Sequence, residues 1–184
     1  VTLDECTPFN VDKTYTAQSL KMTHAWEKRC LDEFAKLNTD HSQALYAVVQ
    51  GGIYEDLRQE ACNFINDHDF FANAIGGSLG ADKKQMYDIV GFTSSKLNQT
   101  RPTHLLGIGL IEDIFFGVEQ SIDSFDCVYP TRLGRHGGAL VKPHVYGSKN
   151  YKLNLYKPFW LQLRARSCHH RCQQGVGRLK DTSP

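Results

Sequence analysis

The sequence holds no apolar run near the roughly 20 residues that a membrane-spanning helix needs. No basic stretch followed by an apolar core opens it in the manner of a secretory signal. No membrane partner is expected. Cysteine is scarce, since six in 184 residues fall far short of a disulfide scaffold. Cys6, Cys30, Cys62 and Cys127 stand singly in apolar or helical context, which suits reduced thiols and a cytoplasmic setting. No charge sign dominates, with 21 Lys+Arg against 20 Asp+Glu and a net charge of +1. A nucleic acid would have to be gripped by a local basic patch, not by a global field. Methionine is missing from position 1, where Val1 stands, so the chain reads as a fragment or as one whose beginning is absent. What remains is an ordinary globular composition, 41% hydrophobic and 22% charged, long enough to bury a sizeable core.

Periodicity repeats one theme from about residue 40 to 130. Ala44–Gln50, Phe70–Ile75, His104–Gly109 and Phe125–Tyr129 are short apolar runs rich in β-formers. Between them, helical spacing runs from Tyr54 to Asn66, from Asp82 to Leu97 and from Glu112 to Ile122. Upstream, Tyr15–Leu37 reads as a long helix and Val1–Asp4 as the end of a strand. Strands alternating with helices predict an α/β fold with a parallel sheet. A doubly wound sheet and a (β/α)₈ barrel both remain open; a whole barrel takes roughly 250 residues, so this chain would be its second half.

A polar residue or glycine closes each strand: Asp4, Gln50, Gly77, Gly107 and Asp126. In both candidate folds ligands bind at the carboxyl edge of the strands. Two carboxylates, one amide and exposed peptide groups there would suit a flat polar molecule such as a base, although glycines after strands are also routine turn punctuation. Asp126, flanked by Phe125, Cys127 and Val128, is an awkward charge to bury. Such a carboxylate can attack an anomeric carbon and form a glycosyl ester, or it can serve as an ion-pair partner or cap. His104 begins a strand and is placed at the edge away from this site.

Motifs in fixed order sharpen the reading. They are Asp4-Glu5-Cys6-Thr7-Pro8, Val49-Gln50-Gly51-Gly52 leading into Tyr54–Arg58, Ile75-Gly76-Gly77, Leu106-Gly107-Ile108-Gly109, and Phe125-Asp126-Cys127-Val128 through Pro130-Thr131-Arg132 to Arg135. From Thr2 to about Val141 the chain resembles the C-terminal part of the barrel of the queuine tRNA-ribosyltransferases, the tRNA-guanine transglycosylases. The resemblance implies a partial (β/α)₈ barrel over residues 1–141. It implies exchange of the wobble guanine of a tRNA with a GUN anticodon for a 7-deazaguanine, preQ1 or queuine, in queuosine biosynthesis. By the same resemblance Asp126 is the nucleophile. Asp4, Cys6, Gln50, Gly76, Gly77, Leu106 and Gly107 line the base pocket. RNA contacts fall on Gly107, Ile108, Gly109, Leu110, Ile111, Glu112 and Asp113, and on a loop formed by Thr131, Arg132, Leu133, Gly134 and Arg135. A homodimer or heterodimer is implied as well.

The resemblance has departures. Ser78 stands where the family usually has leucine, and Leu110-Ile111 where it usually has Lys-Pro. The family's general acid/base aspartate falls in strands upstream of Val1, and no other acid matches its motif, so the isolated polypeptide is expected to be inactive. Residues 142–184 form a divergent basic tail with eight Lys/Arg between Lys149 and Lys180. It takes the place of the family's zinc subdomain, as a solvated helix or an end that does not fold. For Zn²⁺ it offers a compact cluster of Cys168, Cys172 and one of two histidines, His170 or His169. Two further readings are a non-catalytic tRNA-binding partner subunit of the same family and a nucleosidase on the same scaffold.

Overall fold

The computed structural model describes residues 1–9, 11–142 and 151–156. They fall into two compact units, one of Val1–Cys127 and one of the described residues from Val128 onward. The first opens with α1 (Lys13–Leu37) and continues β1 (Tyr46–Val49), α2 (Glu55–Asn66), β2 (Ala72–Ile75), α3 (Lys83–Lys96), β3 (Thr103–Leu105), α4 (Ile111–Glu119) and β4 (Ser124–Phe125). All four strands are parallel and lie in chain order β1-β2-β3-β4. The α/β expectation is met. Local chemistry starts the helices: Asp12 accepts from the Tyr15 N–H at 2.8 Å, and Asp82 from the Gln85 N–H at 2.9 Å. In α2 and α4, Glu55, Asp56, Glu112 and Asp113 place negative charge in the first turn, where the helix dipole favours it.

The two-residue period of a strand sorts side chains onto two faces. Ala47, Val49, Ile75 and Leu105 share a core with Leu20, Leu57, Ala61, Cys62, Ile65, Ile89 and Val90 of the helices. Tyr46, Val48, Ala72, Ala74, His104 and Ser124 alternate with these residues and face the other way. No helix among the described residues is long and apolar enough to cross a membrane.

The expected strand end at Val1–Asp4 amounts to a single rung, Thr2 N–H to the Tyr46 carbonyl at 2.8 Å. The next N–H along that edge, from Val48, donates instead to Glu27 Oε1 of α1 at 2.8 Å, and the Thr2 hydroxyl reaches the same oxygen at 3.3 Å. Glu27 is wholly buried, and its Oε2 has no hydrogen-bond partner. Burial drives its carboxyl up to about 8, against the opposing pull of the two donors.

The second unit contains α5 (Tyr129–Arg135) and an antiparallel pair, β5 (Gly138–Leu140) with β6 (Lys152–Asn154). The expected loop at Thr131–Arg135 is therefore helical. Pro130 sits in its first turn, where a fixed φ and a missing N–H cost nothing. The Leu155 N–H closes the unit onto the Gly137 carbonyl at 2.6 Å.

Glu27 makes stability depend on pH in a defined sense. The unfolded carboxyl ionises near its ordinary 4.5, the folded one only near 8. Stability is therefore full below about 4.5 and falls as pH rises to about 8, at a slope approaching ~1.4 kcal/mol per pH unit, then levels. Glu27→Gln, which keeps an acceptor for Val48, is expected to flatten that fall. Urea titrations of both proteins across pH 4–9 measure it, and parallel curves would show that Glu27 is ionised in the fold.

Candidate active site

Every strand of a parallel sheet delivers its carboxyl end to the same edge. Gln50, Gly76, Leu106 and Asp126 each follow the last residue of a strand, and all four continue the face turned away from the helices. The ladder persists one step into this edge, with Gly76 N–H bonded to the Val49 carbonyl at 3.2 Å and Leu106 N–H to the Ile75 carbonyl at 3.0 Å.

Contacts join these residues into a row. Gln50 is buried; its Nε2 donates to Asp4 Oδ2 at 2.6 Å, while its Oε1 has no partner. At Gly77, with φ +84°, a Cβ would fall 2.2 Å from that Oε1. At Gly76 it would fall 2.9 Å from Val48 Cγ1 and 3.1 Å from Leu106 Cδ1. Only glycine lets the backbone lie this close to the amide. Gly107 then donates its N–H to Asp126 Oδ1 at 2.9 Å. A cleft of about 420 Å³ runs beside the row, with Gly77, Leu79, Lys83, Met86, Leu106 and Ile108 in its lining.

Asp126 ends the row with 59% of its side chain exposed. The Gly107 N–H holds its carboxyl below the usual carboxylate range; partial desolvation opposes this and His104 reinforces it. His104 was expected at the far edge. It lies mid-strand on the site face, with Nε2 3.0 Å from Asp126 Oδ1 and Nδ1 2.8 Å from Ser124 Oγ. Strand parity carries the signal that locates it: His104 precedes Leu106 by two residues and lies opposite Ser124, which precedes Asp126 by two.

Buried polar groups brace the row. Arg58 of α2 is 1% exposed and donates to the carbonyls of Gly52 at 2.9 Å, Val49 at 3.1 Å and Ser78 at 3.5 Å. Burial lowers its guanidinium to about 10, so it keeps its charge at neutral pH. The Ser78 hydroxyl donates to the Thr7 carbonyl at 2.7 Å and ties the post-β2 loop to the segment bearing Asp4. Partial desolvation and then Asp4 push the Cys6 thiol up, so Cys6 stays a neutral thiol.

Other expected positions are spread more widely. Gly107–Leu110 forms the loop after β3, anchored where Cys127 Sγ meets the Gly109 carbonyl at 3.4 Å. Asp113 is buried, 2.9 Å from Lys83 Nζ and 2.8 Å from the Tyr87 hydroxyl, and Glu112 pairs with the same lysine. The Asp113 carboxylate is thus engaged by Lys83 and Tyr87 beside the cleft. Arg132 and Arg135 are exposed on α5 of the second unit. Among the described residues no group of three or more His, Cys, Asp or Glu is placed to hold a metal ion. Cys168, His170 and Cys172 lie outside the described residues.

Comparison with known proteins gives the same direction. The family profile described as "Queuine tRNA-ribosyltransferase" matches residues 1–174. A queuine tRNA-ribosyltransferase of Roseiflexus sp. (strain RS-1) is 42% identical over 161 residues, 83% of this chain and 39% of that relative. One from Chlamydia trachomatis serovar L2 is 41% identical over 180 residues, 96% of this chain and 46% of the relative. A putative queuine tRNA-ribosyltransferase of Archaeoglobus fulgidus is 41% identical over 153 residues, 83% of this chain and 37% of the relative. The chain spans less than half the length of these curated relatives. It belongs to the queuine tRNA-ribosyltransferase family.

Proposed function

We propose that the chain supplies the nucleophile and one side of the base pocket of a tRNA-guanine transglycosylase, and that its four strands are an arc of a (β/α)₈ barrel. The chain-order sheet supports the arc, because a doubly wound sheet reverses its order at a switch point. The observation that carries the reaction is the single row from Asp4 through Gln50 and Gly77 to Asp126 on one edge.

In this reading a purine lies against the Leu106–Gly107 backbone. The Asp4 carboxylate accepts N–H donors from its edge, and the Gln50 amide takes part at its carbonyl side. The target nucleotide leaves the anticodon stack to reach the pocket. Asp126 attacks C1′ of the ribose, guanine departs, and the ester is displaced by a 7-deazaguanine such as preQ1 or queuine. Two displacements retain configuration at C1′. A lowered carboxyl value keeps Asp126 ionised throughout the neutral range, so protonation of this group is expected to cost activity only at pH below the ordinary carboxylate range.

In a full-length enzyme that carries this segment, incubation with a GUN-anticodon tRNA and no added free base is expected to yield a covalent protein–RNA band on denaturing gels. Asp126→Asn is expected to abolish that band and to slow labelled-guanine exchange by on the order of 10³-fold or more. RNA bound without any adduct would favour a non-catalytic partner subunit, and free base released without exchange would favour a nucleosidase.

Gly77→Ala forces a methyl against Gln50 Oε1 in a backbone conformation that alanine rarely adopts. It is expected to raise the KM for the free base on the order of 10- to 100-fold through displacement of the amide. Titration of exchange rate against guanine concentration reads this, and an unchanged KM would remove Gln50 from base recognition.

A further inference from the structure

The β3–β4 register sets Ser124 directly across from His104, and Asp126 lies two residues beyond Ser124 on the same face. His104 therefore stands between a hydroxyl and a carboxylate, 2.8 Å from Ser124 Oγ through Nδ1 and 3.0 Å from Asp126 Oδ1 through Nε2. An ionised carboxylate only accepts, so the nitrogen facing it must bear the hydrogen. In the neutral ring Nδ1 then accepts from the Ser124 hydroxyl. Tyr46 meets the ring edge-on, with centroids 6.4 Å apart and planes at 87°. The side chain is 19% exposed, against 59% for Asp126. The imidazole is fixed while the carboxylate is open. Both donors, His104 Nε2–H and Gly107 N–H, converge on the same oxygen, Oδ1.

We propose that His104 is a positioning residue that works with the Gly107 N–H on Asp126 Oδ1, making Oδ2 the attacking oxygen and speeding expulsion of the carboxylate from C1′ in the second displacement. The inference rests on Asp126 being the nucleophile. In the first displacement a lone pair of Oδ2 forms the bond to C1′. The C1′–N9 bond breaks and its electron pair passes to the purine, which a general acid protonates. Oδ1 becomes the ester carbonyl oxygen and loses most of its charge. In the second displacement N9 of the incoming base gives its proton to a general base and bonds to C1′. The Oδ2–C1′ bond breaks, its electron pair returns to the carboxylate, and negative charge grows again on Oδ1. Donors already aimed at an oxygen that gains charge accelerate that step. The same donors make the free carboxylate a weaker nucleophile, so their removal should slow ester release more than ester formation.

Base exchange and adduct trapping on His104→Phe, His104→Gln and Ser124→Ala, made in a full-length enzyme that carries this segment, test this. His104→Phe is expected to lower kcat about 100-fold. It is also expected to raise the fraction of protein held as tRNA adduct at steady state. Apparent KM values should not rise, since accumulation of a covalent intermediate lowers them. His104→Gln, which retains an N–H able to reach Oδ1, is expected to recover about tenfold of that loss, and Ser124→Ala to fall between. A His104→Phe protein with unchanged kcat and adduct fraction would overturn the proposal, as would a His104→Gln protein no better than His104→Phe. Absence of adduct in the unaltered protein would instead overturn Asp126 as nucleophile. Should His104→Phe lose its cooperative thermal melt, Ser124→Ala bears the test with the ring in place, and an unchanged kcat and adduct fraction there would refute the proposal.

Discussion

The register of the parallel sheet is the constraint on which the rest depends. Pairing runs unbroken from Tyr46 opposite Ala72 to Leu105 opposite Phe125. It fixes which residues face the helices and which residue of each strand arrives at the edge. A slip of one residue would exchange the faces. Val49, Ile75 and Leu105 would leave the core, and Gln50, Leu106 and Asp126 would turn towards the helices. Core and site are thus specified by one alternation, and burial of Ala47, Val49, Ile75 and Leu105 aligns the polar edge.

Strands of two to four residues have few ladder bonds with which to hold that register. Buried polar side chains supplement them. Glu27 takes a strand N–H that no neighbouring strand receives, and Asn73 Nδ2 donates to Thr103 Oγ1 at 3.2 Å between β2 and β3. Asp123 and Thr103 exchange two bonds at the start of β3, with the Thr103 N–H reaching Asp123 Oδ2 at 2.7 Å. Arg58 gathers carbonyls from three loop and strand positions. A buried cation without a carboxylate is costly to desolvate, and removal of any of its acceptors would expose that cost. The groups that immobilise the row are therefore mostly not the groups that would touch a ligand.

Much of this was legible in the sequence. Apolar runs closed by glycines located β1, β2 and β3, the run Phe125–Tyr129 overlapped β4 only at Phe125, and helical spacing located α1 to α4 to within a few residues, because there hydrophobic period and final burial coincide. Strand ends alone placed positions 50, 77, 107 and 126 at one edge, at 77 and 107 one residue beyond the edge positions 76 and 106. His104 could not be placed this way, since its role depends on a cross-strand partner, and register is not written in any single strand. The partners of Asp113 were out of reach for a similar reason: Lys83 and Tyr87 come from another helix. At Thr131–Arg135 the resemblance implied a loop, yet Pro130 in the first turn is compatible with the helix that forms.

The two ends of the row meet different solvation. Gln50 is buried and Asp4 half-buried, so hydrogen bonds made there to a base edge would be formed in a low dielectric, where a mismatched donor or acceptor is expensive. Asp126 is open, where a nucleotide's ribose could approach without displacing packed side chains. Such an exposed carboxylate would ordinarily sample many rotamers, and the fixed His104–Ser124 pair and the Gly107 N–H restrict it through a single oxygen. Orientation is thus imposed from one side and access is left on the other. This division would let the nucleophile proposed at Asp126 be both held and available, and it follows from Ser124 and Asp126 lying two apart with His104 opposite Ser124 on the neighbouring strand.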